Sequence, residues 1–170
     1  YILGVEWEDI TVSYTDEKYK DDNRYNSYSG KYMFTTVDAS PFEAMLAEAG
    51  DKIIEYETER YGQQRLIAFS NWPTTDPFDY TEDVAEFFMK CAKVDVEHIR
   101  TTDEFVSGQF ASYHVYPYYP DYFEYVDIYD EDFSAYGIQR EDLYDEDGQK
   151  NTYGAYLKAL KKYHTMPVVI

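Results

Sequence analysis

The chain has 170 residues, with 34 Asp and Glu against 15 Lys and Arg, a formal net charge of −19. That length holds one domain with an adequate core, but not a complete eight-fold β/α barrel, which takes roughly 250 residues and at least about 200. The charge argues against nucleic acid and anionic membrane surfaces as partners, and no apolar run is long enough to span a bilayer.

Ile2, Leu3 and Val5, with Gly4 among them, make a short apolar run that predicts a buried strand over Tyr1 to Trp7, with Glu6 at its carboxyl end. Glu8 to Phe34 is polar, rich in Tyr and Asp, and without a period, which predicts a long loop. Ser40-Pro41-Phe42-Glu43 is a capping box with proline at the first helical position. Phe42, Met45, Leu46, Ala49, Ile53 and Tyr56 follow at helical spacing, and Gly62 supplies a stop, so a helix is predicted over Pro41 to Tyr61.

Arg65 to Ser70 reads as a second strand, ended by the prolines of Asn71-Trp72-Pro73-Thr74-Thr75-Asp76-Pro77. A short helix is expected between Thr81 and Lys93, with Val84, Phe87, Phe88 and Cys91 on one face. Gln109 to Tyr116 is a third strand, broken at Pro117. Asp121 to Asp147 is acidic and irregular, with room for one helical turn. Thr152 to His164 is a helix striped by Tyr153, Tyr156, Leu157, Leu160 and Tyr163, and Val168 to Ile170 opens a fourth strand.

Strands that alternate with helices run parallel. No glycine-rich turn follows the first strand, so neither a dinucleotide fingerprint nor a phosphate loop is present. The alternation, with long loops after strand ends and short ones before strand starts, predicts an α/β fold: a partial (β/α)8 barrel of about four parallel strands. Residues 1–170 form a single domain, read as a stretch of a longer barrel. Exposed sheet edges in such a part-barrel predict self-association.

In a barrel the functional residues sit at strand carboxyl ends and in the loops that follow. Those positions hold Glu6, Trp7, Asn71, Trp72, His114 and Tyr116. A carboxyl group beside an indole, partly stripped of water, gains proton affinity and can act as a general acid; a strand-end Glu can equally pair with a lysine or arginine. Period-two alternation puts His114 and Tyr116 on one face, aimed at a common site or filling a sheet face. Tyr118 lies in the rigid aromatic stretch Pro117-Tyr118-Tyr119-Pro120-Asp121-Tyr122, which suits a sugar platform or a loop packed on its own rings.

The acids Asp127, Asp130, Glu131 and Asp132, and Asp142, Asp145, Glu146 and Asp147, read as solvated faces. The calcium-loop register around Asp145 fails, because Leu143 and Gly154 stand where ligands are needed. Cys91 is the single cysteine, and His98 and His164 have no partner at metal-ligand spacing. No metal site, no cofactor and no internal disulfide are expected. No signal peptide is visible, although the chain opens on Tyr1 rather than Met, so one could have been removed. Compartment stays open, with an extracellular or cell-surface setting favoured.

Glu6, Tyr113-His114-Val115-Tyr116 and Met166-Pro167-Val168-Val169-Ile170 together resemble the middle of a clan A retaining glycoside hydrolase, a (β/α)8 barrel. The stretches around Asn71–Pro77 and Tyr116–Asp121 also resemble bacterial glycosidase-like barrel proteins. The resemblance makes the four strands the fourth to seventh of a barrel. It implies Glu6 as the general acid/base, His114 and Tyr116 as lining of the sugar site, and Trp72 as an aromatic platform. It also implies carbohydrate as partner, and a nucleophilic Glu just past Ile170, without which these residues alone would not hydrolyse glycosides. Val5 stands where the family carries an Asn that binds the sugar 2-hydroxyl, which leaves a carbohydrate-binding or structural barrel domain without catalysis as the alternative.

Overall fold

A computed structural model describes residues 1–129 and 133–170, with the side chains of 127–129 outside the description. Of the acidic cluster, Asp130, Glu131 and Asp132 therefore lie outside the described residues, and so does the side chain of Asp127. Four strands, β1 (Ile2–Leu3), β3 (Ile67–Asn71), β5 (Gln109–Tyr113) and β6 (Val168–Val169), form one parallel sheet in that spatial order. β2 (Met33–Thr35) and β4 (Ile99–Thr101) pair antiparallel in a second, two-stranded sheet. The helices are α1 (Asp9–Tyr19), α2 (Pro41–Tyr61), α3 (Glu82–Phe88), α4 (Phe123–Tyr129) and α5 (Thr152–Tyr163). The parallel α/β arrangement is thus as expected, and the described strands form an open sheet edged by β1 and β6.

α2 is set by local chemistry. The Ser40 hydroxyl accepts the Glu43 N–H, the Glu43 carboxylate accepts the Ser40 N–H, and Gly62 ends the helix at φ 62°. From outside, Asp16 Oδ1 accepts the Phe42 N–H at 2.8 Å and satisfies another free donor of the first turn. The buried face differs from the expected stripe. Met45 and Tyr56 are exposed, whereas Glu43, Ala47, Gly50, Asp51, Ile54 and Glu57 face inward. Two of the acids go in with hydrogen-bond donors and the third with an ion pair. Glu43 accepts from Asp95 N and His98, Asp51 from Tyr32 N and Met33 N, and Glu57 pairs with Arg65.

Gly50 lets the sheet approach α2, since a Cβ there would lie 2.6 Å from Met33 Sδ and 3.0 Å from Phe69 Cζ. Ile67 and Phe69 therefore face α2, and alternation turns Ala68 and Ser70 to the opposite face. By register, Ile2, Phe110, Ser112 and Val169 share that opposite face. The helix-side core is aromatic, with Phe78 ringed by Phe123, Tyr136, Tyr156 and Tyr163 at centroid distances of 5.6 to 6.2 Å.

Several boundaries differ from the sequence reading. The first strand stops at Leu3 rather than Trp7, because Gly4 turns the chain at φ 85°. The expected loop Glu8–Phe34 contains α1 and β2; α1 buries only Asp9 and Val12, so it carries no apolar period. In the segment after β3, Phe87 and Cys91 are exposed rather than core. Asp145 caps its own turn, accepting the N–H groups of Asp147 and Gln149 at 3.0 and 2.8 Å. No helix of the described residues is long and apolar enough to cross a membrane.

Candidate functional site

Glu6 stands just past the carboxyl end of β1, with its backbone at φ 37°, in the left-handed region that a glutamate seldom occupies. His114 and Tyr116 follow β5. Both reach the same oxygen, Glu6 Oε1: His114 Nδ1 at 3.1 Å, and the Tyr116 hydroxyl through a short hydrogen bond. β5 ends at Tyr113 rather than Tyr116, so the pair lies past the strand and not on one of its faces, yet both side chains meet one carboxylate. The group is part-exposed, with about a third of the Glu6 and His114 side chains open to solvent.

Donation from Tyr116, then from His114, holds the Glu6 carboxyl below its ordinary 4.5, outweighing the small effect of burial. Glu6 is therefore an anion at neutral pH. Of the two readings open to a strand-end Glu beside an indole, the raised proton affinity is not the one found: the direction is downward. The Trp7 ring packs edge-on against Phe42 at 5.3 Å and donates its indole N–H to Ser70 O at 3.0 Å. A Cβ on Gly4 would collide with that ring, so the turn after β1 exists to admit it.

Trp72 donates its indole N–H to Trp7 O at 2.9 Å, joining the ends of β1 and β3 beside Glu6. Tyr118 is exposed and leans on Tyr116 with ring centroids 5.8 Å apart. Asn71 lies apart from this group. It is fully buried on the helix side, its Nδ2 donating to Val94 O and its Oδ1 accepting from Trp72 N and Thr75 Oγ1, each at 2.8 Å. Its hydrogen bonds fix the loop after β3 and leave nothing for a ligand. Glu6, His114, Tyr116 and Tyr118 are thus brought together; Trp72 meets the backbone of Trp7, whose ring turns to Phe42, and Asn71 fixes the loop after β3.

A separate cavity of about 530 Å³ opens between α1, the start of α2 and the loops at 77–79 and 91–95. Its walls include Asp16, Glu43, Asp95, His98 and Tyr163, a cluster that sequence spacing did not reveal. These groups satisfy one another: His98 Nδ1 meets Glu43 Oε2 at 2.8 Å, and the Tyr163 hydroxyl donates to Asp95 Oδ2 at 2.5 Å. The cluster is a clasp between α2, the turn at 95–98 that precedes β4, and the end of α5. Volume and chemistry therefore lie in different places, and the open carboxylate of Glu6 is the better candidate because it keeps Oε2 free of protein hydrogen bonds among the described residues. No group of His, Cys, Asp and Glu among the described residues has the arrangement of a metal site.

No protein-family model, curated protein or solved structure matches this chain.

Proposed function

We propose that this chain is a carbohydrate-binding or carbohydrate-processing domain centred on Glu6, and that its parallel sheet is one arc of a (β/α)8 barrel of the clan A glycoside hydrolase type. The observation that carries the reading is the convergence of His114 and Tyr116 on one oxygen of Glu6, at the carboxyl ends of two parallel strands. Strand carboxyl ends are where barrel enzymes work. Tyr118 and Trp72 add aromatic faces with polar tips, which suit the mixed C–H and hydroxyl surface of a sugar.

The strand order supports the arc. β1, β3, β5 and β6 lie side by side in chain order, so each crossover moves the same way, whereas a doubly wound sheet reverses. A groove of about 640 Å³ lined by Leu157, Met166, Pro167, Val168 and Ile170 flanks β6, where the next unit of a barrel would pack.

In a longer barrel Glu6 would protonate the glycosidic oxygen and later activate the water that releases the glycosyl-enzyme. That route needs a second carboxyl group roughly 5–5.5 Å away. Among the described residues the partners of Glu6 are His114 and Tyr116, not a second carboxylate, and the resemblance places that second group beyond Ile170. Binding without catalysis is the second reading. It is favoured by the depressed proton affinity of Glu6 and by Val5, exposed where the family places a sugar-binding Asn.

The test is NMR titration of the protein with xylo-, cello- and manno-oligosaccharides. Shifts at the Trp72 and Trp7 indole N–H signals, lost in Glu6→Gln, support the reading. No shift with any of the sugars overturns it. Turnover of aryl glycosides by a longer polypeptide, lost in the same variant, separates catalysis from binding.

A further inference from the structure

Lys90 is nearly buried, yet its ammonium is surrounded by oxygen. Nζ donates to the carbonyls of Pro73, Thr74 and Asp76 at 3.2, 3.0 and 3.2 Å, and lies 3.2 Å from Asp76 Oδ1. The rings of Tyr80 and Tyr122 cover it, with centroids 5.6 and 5.7 Å from Nζ. Asp76 is fully buried and its Oδ2 accepts the hydroxyls of Tyr80 and Tyr156, each at 2.7 Å. This is the coordination of a small cation, supplied by a side chain. Met89 directs it there, since its left-handed backbone at φ 55° ends α3 and turns the chain inward.

The carbonyls that Lys90 gathers belong to the turn Pro73–Asp76, which begins immediately after Trp72. Thr75 in that turn donates to Asn71 Oδ1, which also accepts the Trp72 N–H. Trp72 in turn donates to Trp7 O, one residue beyond Glu6. The geometry points to Lys90 as a positioning residue for the Glu6 site: a tethered cation that closes the Pro73–Asp76 turn and so holds Trp72 against the Trp7 carbonyl. The inference rests on reading the Glu6 cluster as the functional site, but its physical content is read without any sugar.

Trp7 and Trp72 are the two tryptophans of the chain, so tryptophan fluorescence reports this junction and nothing else. Lys90→Ala removes the three carbons and the nitrogen of n-propylammonium, which makes that ion the natural probe. The expected result is a red-shifted emission and steeper acrylamide quenching in a variant still folded by circular dichroism. Propylammonium chloride should reverse both, and sodium chloride at equal ionic strength should not. A folded Lys90→Ala protein with wild-type emission and quenching overturns the proposal, as does a change that propylammonium leaves untouched.

Should the lone Asp76 prevent folding, Lys90→Met with Asp76→Asn removes both charges together. That variant should keep the red shift and show no propylammonium response; wild-type emission from it overturns the proposal. Absence of oligosaccharide binding by the wild-type protein would sink the carbohydrate reading while leaving the fluorescence result intact.

Discussion

His114 Nδ1 lies 3.1 Å from Glu6 Oε1, although the two residues stand 108 positions apart in the chain. The contact exists because β1 and β5 flank β3 in one parallel sheet and end on the same side. Tyr116 binds the same oxygen, and its donation is the larger influence on the carboxylate. Tyr116→Phe should therefore raise the Glu6 carboxyl back towards its ordinary 4.5, and by more than His114→Ala does. The carboxyl carbon shift of Glu6, followed by NMR against pH, measures this. A larger response to His114→Ala would show that the order of the two donors is wrong.

Much of this architecture is legible in the sequence wherever a local signal suffices. The capping box at Ser40–Glu43 and the stop at Gly62 bound α2 to the residue, and strand-end placement with period-two alternation picks out Glu6, His114 and Tyr116. What is lost depends on distant partners. The true inner face of α2 includes Glu43, Asp51 and Glu57, which a count of apolar residues assigns to solvent; for Glu43 and Asp51, donors from segments elsewhere in the chain make the burial tolerable. β2 and β4 are three residues each and find one another across more than sixty positions, Met33 opposite Thr101, so neither carries a pattern of its own. The surroundings of Glu6 are hidden for a related reason: adjacency of Trp7 in sequence says nothing about where its ring points, and the turn at Gly4 takes it to Phe42.

The clasp around His98 should make stability depend on pH. Hydrogen bonding to Glu43 comes first, aided by the charges of Glu43, Asp95 and Asp38 and opposed by burial, and together they raise the His98 proton affinity above its ordinary 6.5. A raised value in the folded state means the imidazolium stabilises fully below about 6.5 and loses that contribution as pH rises through the folded value. His164 acts oppositely. Burial lowers its proton affinity, so its effect is lost as pH falls below the neutral range. Thermal unfolding of the wild-type protein and His98→Gln should differ most in mildly acidic buffer and converge in alkaline buffer. A constant gap across that range would show that the charge on His98 is not what the clasp uses.

Asp51 reaches from α2 to two backbone donors, Tyr32 N at 2.6 Å and Met33 N at 2.8 Å, and also accepts the Tyr28 hydroxyl at 3.1 Å. Asp51→Ala leaves two backbone N–H groups without a partner and should cost about 3 kcal/mol, since a buried unsatisfied donor costs about 1–3 kcal/mol. Tyr28→Phe removes one part-buried bond and should cost about 1 kcal/mol. Urea unfolding of the two variants measures the ratio. Equal losses would mean that the Tyr28 contact, not the backbone anchoring, is what Asp51 contributes.

The sheet face opposite the helices leaves Ile2 and Val169 about half exposed, and β1 and β6 each pair on one side among the described strands. Unpaired parallel edges beside exposed apolar residues invite further strands. The 170-residue chain should self-associate. Its charge of −19 opposes this, so association should strengthen with added salt as the repulsion is screened. Light scattering across a salt series tests it, and a monomer at every ionic strength would count against an open barrel arc.

Glu6 also offers a test of function that uses stability alone. Its φ of 37° sits in a region where a side chain beyond hydrogen is strained, at a cost of roughly 1–2 kcal/mol. Glu6→Gly and Glu6→Ala both lose the bonds to His114 and Tyr116, so their difference isolates the backbone. The glycine variant should be the more stable by about 1 kcal/mol, reduced somewhat by the extra freedom of glycine in the unfolded chain. A glutamate held against its backbone preference, with its side chain about a third open to solvent and oriented by two donors, is the pattern expected of a residue kept for its chemistry rather than for the fold. Equal stability of the two variants would remove the strain and, with it, this argument that Glu6 is kept for what its carboxylate does.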